Sequence, residues 1–139
     1  MPVQISINYW AVLVAAIAAM AIGFLWYGPL FGKQWMQLAG LSEKKLKGAK
    51  QKGMGKTFVI AFVSTLIMTY VLAHFVDYVE AKTITDGAVL GFWLWIGFFA
   101  PTQLGIVLWE GKPLNLYLIN TLHYLVVLVV MSSILAVWS

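Results

Sequence analysis

Cysteine and arginine are both missing from this chain, and charge of either sign is scarce. Without cysteine there are no disulfides, thiolate metal sites, iron–sulfur clusters or cysteine nucleophiles. Without arginine, planar bidentate clamping of phosphate or carboxylate is unavailable, and lysine is left to bind anions as a point charge. Charged residues make up 10% of the 139 residues and hydrophobic ones 62%, whereas a soluble domain carries about 25% and about 45–50%. A soluble domain of this length cannot hide so much apolar surface in one core, so the excess faces lipid.

What is present is four long apolar runs, set off by the few charges. No charged side chain occurs before Lys33. Lys56 and Asp77 bracket a second run, Asp86 and Glu110 a third, and Lys112 is the last charge before a run that reaches the C-terminus. A bilayer core of ~30 Å needs ~20 apolar helical residues. The expectation is therefore an all-α integral membrane four-helix bundle, a single domain over 1–139, with spans at approximately 8–28, 57–78, 86–109 and 114–138. Open strands would leave backbone groups unpaired in lipid, and barrels show short alternating segments instead.

Orientation comes from the lysines. The 32–56 loop holds seven lysines (33, 44, 45, 47, 50, 52 and 56) against one acid, Glu43, while the next loop holds Asp77, Glu80, Lys82 and Asp86. The positive-inside rule makes the first loop cytoplasmic and puts both termini outside, an N-out/C-out topology. The N-terminal tail has no basic side chain, so the first span reads as a mature helix and not as a cleavable signal.

Within the basic loop, Trp35, Met36, Leu38 and Ala39 lie near one face of a short helix expected at the membrane surface, with Ser42 and Glu43 able to start another. Lys33, Lys44, Lys45 and Lys47, with Trp35, suit anionic headgroups. With no arginine and one interleaved aromatic, nucleic acid is not an expected partner. Leu25-Trp26-Tyr27-Gly28-Pro29 has an echo in Leu108-Trp109-Glu110-Gly111-Lys112-Pro113, which interfacial tryptophan and helix-end glycine also explain without duplication.

Small residues mark packing faces: Ala11, Ala15, Ala19 and Gly23 on the first span, and Gly87, Gly91, Pro101, Thr102 and Gly105 on the third. Two such faces on four helices leave room for a homo-oligomer. Pro101 removes the amide that would bond the Gly97 carbonyl and should kink the third helix. Ser64, Thr65, Thr102, Gln103, Asn120 and His123 all fall roughly 8–13 Å inside the membrane. Polar groups there are costly and usually face the bundle or a cavity. The candidate ligand-binding set is Gln103, Glu110, Asn120, His123 and Tyr124, in a pocket between helices three and four. The bland alternative is a set of interhelical hydrogen bonds that only hold the bundle together. His74 belongs to the opposite rim with Tyr70 and Asp77, about 13 Å in depth from His123, so the two histidines cannot share a metal.

No phosphate loop, intramembrane carboxylate pair, catalytic serine–histidine pair or metal-ligand spacing is found. The expectation is a protein that is not an enzyme and needs no cofactor or metal. The runs Asn8-Tyr9-Trp10-Ala11-Val12-Leu13, Gly23 to Lys33, and Val107 to Pro113 followed by Leu116-Tyr117-Leu118-Ile119-Asn120 resemble the bacterial membrane family catalogued as domain of unknown function 1761. That resemblance covers nearly the whole chain and implies a bacterial inner membrane, but transfers no catalytic residue. The functional expectation is a homo-oligomeric bundle that binds or passes a small apolar or weakly polar molecule, or a lipid. The alternative is a structural or accessory protein that docks a partner through its small-residue faces.

Overall fold

Two of the helices open on a side chain that satisfies orphan backbone amides. In the computed structural model, which describes residues 7–39 and 54–138, Asn8 caps α1 (Tyr9–Leu25), its Oδ1 accepting from Trp10 N–H at 3.1 Å and Ala11 N–H at 3.3 Å. Pro29 has no amide to offer its own turn, and Trp26–Leu30 widens into a π turn. There Phe31 N–H reaches five residues back to Trp26 O at 2.8 Å. The chain then bends into α2 (Gly32–Ala39). Lys44, Lys45 and Lys47, and the helix expected to start at Ser42 and Glu43, lie outside the described residues.

The second span is α3 (Met54–Tyr78), closed by a tight turn in which Ala81 N–H bonds Val76 O at 3.0 Å and Glu80 takes a positive φ of 56°. Thr83 caps α4 (Ile84–Leu94): its Oγ1 accepts from Asp86 N–H at 3.0 Å, while Asp86 Oδ2 accepts from Lys82 N–H at 3.2 Å. A second π turn, Trp95–Phe99, leads to Pro101, and the third span continues as α5 (Ala100–Gln103) and α6 (Gly105–Leu108). Gly111, at φ 68°, makes the turn into α7 (Leu114–Val137). The four helical stretches long and apolar enough to span are Tyr9–Leu30, Gly55–Tyr78, Ile84–Leu108 and Leu114–Val137. Among the described residues there is no strand.

The fourth span is the centre of the bundle, with 44% of its most apolar stretch buried, and the third is the periphery, with 11%. α1 packs on α7 and α3, α3 also reaches α7, and α4 lies along α7. Ala11, Ala15 and Ala19 are buried inside the bundle together with Ala73, Val76, Val127, Leu128, Met131 and Leu135. α3 is tied in by hydroxyls: Thr69 Oγ1 lies 2.6 Å from Thr65 O and 3.4 Å from Met131 Sδ, and Thr65 Oγ1 lies 2.8 Å from Ala61 O and 3.7 Å from Met20 Sδ.

Gly87 and Gly91 let α4 touch the α7 backbone. A Cβ at Gly87 would stand 2.5 Å from Ser132 O, and one at Gly91 would stand 2.8 Å from Leu128 O. The rest of that small-residue face does not stay in line with them. The π turn places an extra residue in the coil and rotates the second half of the span, so Pro101 and Thr102 are exposed and Gly105 meets Trp109 of its own segment. The carbonyls around the break find hydroxyl donors instead: Thr102 Oγ1 bonds Phe98 O and Phe99 O, and Tyr117 OH bonds Ala100 O at 2.7 Å.

Candidate functional site

Two indoles grip the first third of α7. Trp26 Nε1–H donates to Ile119 O at 2.9 Å and Trp95 Nε1–H donates to Thr121 O at 2.6 Å. Residues 119 and 121 are two apart on a helix, about 200° around the axis, so their carbonyls receive the first and third spans from different sides. Both tryptophans open a π turn, and both sit in the same local string, Leu25-Trp26-Tyr27-Gly28 and Leu94-Trp95-Ile96-Gly97. This is the correspondence the tertiary structure displays. The Leu108 to Pro113 run instead forms the end of α6 and an exposed turn.

Between those grips lies a polar centre built from α1, its π turn and α7. Tyr27 OH donates to Asn120 Oδ1 at 2.7 Å. One turn on, His123 is buried at 9% exposure, and its ring centroid lies 6.2 Å from Trp26, 5.0 Å from Tyr27 and 4.8 Å from Tyr124. Tyr124 in turn lies 5.2 Å from Phe99 of the third span. A Cβ at Gly23 would sit 3.6 Å from His123 Nε2, so the first span's last small residue is what faces the imidazole. Neither His123 nitrogen has a hydrogen-bond partner among the described residues.

The sequence-based pocket is thus divided. The structure brings Asn120, His123 and Tyr124 together, and it sets them against the first span. Gln103 is half-buried with Oε1 unpartnered among the described residues, Glu110 is exposed beyond α6, and neither shares a hydrogen bond with the other three. Ser64 and Thr102 are exposed. The missed residues are Trp26 and Tyr27, which read as interfacial anchors; the signal was the glycine at 23, which opens α1 to whatever stands opposite. At the opposite rim His74 Nδ1–H donates to Tyr70 O at 2.9 Å, since a carbonyl can only accept, and the two rings meet edge to face at 4.7 Å. Asp77 borders a recess with Asn8 and Trp138, and Asn8 Nδ2–H ties the two chain ends by donating to Trp138 O at 3.0 Å.

Beside the polar centre is an open cavity of about 410 Å³, lined by Trp26, Phe31, Gln34, Gln37, Leu38, Asn115, Leu118, Ile119 and Leu122, of which Gln34, Gln37, Asn115, Leu118 and Leu122 are exposed. α2 forms its roof and the first two turns of α7 its floor. Its walls are apolar and its three polar residues are all amides. Trp35 on α2 is half-buried and stacks edge-on with Tyr27 at 5.3 Å, which joins the roof to the polar centre, while Lys33 is exposed. Among the described residues no group of three or more histidines, aspartates and glutamates is placed to hold a metal.

The family model described as "Protein of unknown function (DUF1761)" matches residues 10–136. A UPF0591 membrane protein of Schizosaccharomyces pombe is similar to the chain, 25% identical over 118 residues, which cover 84% of this chain and 80% of that one. No solved structure matches.

Proposed function

The chain belongs to the DUF1761 family of membrane proteins, and from that premise we propose that it binds one amphiphile in the cavity beneath α2. The supporting observation is the cavity itself: about 410 Å³ of space with an aliphatic and aromatic wall and an amide rim of Gln34, Gln37 and Asn115. Ligand sites of ~300–1,000 Å³ with apolar walls and a few oriented polar groups are the usual form. A lipid brings both parts, tail and headgroup, and the cavity opens at the end of the bundle that carries the basic loop, where headgroups are.

In this reading the protein is a bundle of the bacterial cytoplasmic membrane with both termini on the outer side, and it performs no reaction. It is also homo-oligomeric. The third span supports this, since it packs mainly on α7 and leaves Val89, Trp93 and Ile96 uncovered. Docking of a partner through the alanine stripe has no support, because Ala11, Ala15 and Ala19 are already used inside the protomer.

A lipid carrying a photoactivatable group in its chain tests the cavity. Cross-links should concentrate on α2 and on residues 115–122, and Leu118→Trp should remove them by filling the space. Cross-links spread evenly over lipid-facing positions such as Val59 and Ile67 would overturn the reading.

A further inference from the structure

The cavity and the polar centre share a wall. Trp26, Ile119 and Leu122 line the cavity; Leu122 precedes His123 in the chain, Ile119 lies one turn back from it, and the Trp26 ring centroid is 6.2 Å from the imidazole. Behind that wall both His123 nitrogens are without a partner among the described residues, at 9% exposure. A buried polar group without a partner is costly in any protein, and more so where no water can reach it. Every neighbour the structure gives the ring is an aromatic face or edge, Trp26, Tyr27 or Tyr124, and the position opposite Nε2 is a glycine. Tyr27 OH does not pair with the imidazole; it donates to Asn120. The bundle therefore places one donor and one acceptor beside a ligand-sized space, with a partner for neither among the described residues.

We propose that His123 recognises the ligand's headgroup, and that the ligand is a neutral amphiphile with a free hydroxyl, of the diacylglycerol or long-chain alcohol type. This rests on the cavity being a lipid site. A neutral imidazole offers one N–H and one bare nitrogen on diverging edges of the ring, and a single hydroxyl meets one of them: it donates to the bare nitrogen, which a methyl ether cannot do. A phosphate or carboxylate would find only amides, Gln34, Gln37 and Asn115, among the described residues that line the cavity. Tail and glycerol region occupy the cavity, and the hydroxyl reaches His123 when the Trp26 indole leaves its 2.9 Å hydrogen bond to Ile119 O. Trp26 is then the gate between the two compartments.

The test is native mass spectrometry of the full chain released from mild detergent and titrated with three probes: dioleoylglycerol, its 3-O-methyl ether, and dioleoyl phosphatidic acid. Dioleoylglycerol should bind about three- to tenfold more tightly than either of the others, the scale of one interhelical-strength hydrogen bond in a membrane. His123→Leu should bring alcohol and ether to parity, while His123→Gln, which keeps a donor and an acceptor, should retain most of the preference. Equal binding of alcohol and ether by the native chain, or tighter binding of phosphatidic acid, overturns the assignment of His123 and leaves the cavity standing. Adducts indifferent to Leu118→Trp would remove the cavity reading itself. Should His123→Leu fail to fold, the native preference and the His123→Gln value decide.

Discussion

Replacing Gly87 with alanine should loosen the bundle at its tightest joint. The added Cβ would stand 2.5 Å from Ser132 O, 2.7 Å from Ser132 C and 2.7 Å from Ser133 Cα. All three are backbone atoms of α7, so no side chain can rotate away. A carbon and a carbonyl oxygen in contact sit at about 3.3–3.6 Å, so α4 must retreat by roughly 1 Å along a pair of helices packed backbone to backbone. Overpacking of this kind costs about 1–3 kcal/mol, set against the ~1 kcal/mol that alanine gains over glycine as a helix former. Gly91→Ala, with Leu128 O at 2.8 Å and Leu128 C at 2.9 Å, should behave alike but more mildly. Gly55 has no described atom within 4 Å of its added Cβ, and Gly55→Ala supplies the opposite sign. Reversible unfolding in mixed micelles by a titrated denaturing detergent reads all three. If Gly87→Ala is as stable as Gly55→Ala, the close α4–α7 contact is not what holds the third span.

The other predictions use the same assay or simple labelling. Asn120→Leu should destabilise by about 1–3 kcal/mol, because it strands the part-buried Tyr27 hydroxyl; Tyr27→Phe in the same background should recover most of the loss. Trp26→Phe and Trp95→Phe should each cost around 0.6–1.7 kcal/mol and add within error, since they release α7 from different sides; strong non-additivity would mean the two grips are one. Single cysteines at Asp86 and Lys112, introduced into this cysteine-free chain, should be labelled by an impermeant maleimide from opposite sides of the membrane, with Asp86 outside; the reverse would refute the orientation. Trp93 is 64% exposed about nine residues into the third span and Trp109 is 87% exposed at its end, so lipids brominated deep in the chain should quench the first more than the second, and shallow ones the second.

Much of the candidate site was legible as chemistry and illegible as geometry. Asn120, His123 and Tyr124 stand out because polar groups are rare and expensive in apolar helices, which needs no structure to see. Their partners were misread, because the residues that face them, Trp26 and Tyr27, look like ordinary interfacial aromatics at the end of a span. Gln103 and Glu110 share a face of the third helix if that helix is regular. It is not: the helix is interrupted at Leu104, between the two residues, and ends at Leu108, so Glu110 falls in the turn beyond it, while a proline at 101 reports a missing amide without reporting how the preceding carbonyls will be satisfied.

By itself the sequence determined the solvent, the number of crossings and the helical form. Composition and charge spacing decide these through transfer free energy and the need to pair every backbone group in lipid, both local properties. Even the caps at Asn8 and Thr83 belong to that local class. What only the tertiary structure decided is which helix lies at the centre and which faces meet. In a bilayer nearly every side of a helix is apolar, so no hydrophobic stripe points to the core as it would in water. The choice falls to close packing at Gly87 and Gly91, to indoles reaching the carbonyls of Ile119 and Thr121, and to a glycine at 23 opposite one histidine. Such contacts join residues far apart in the chain, and their terms appear only when the helices are set side by side.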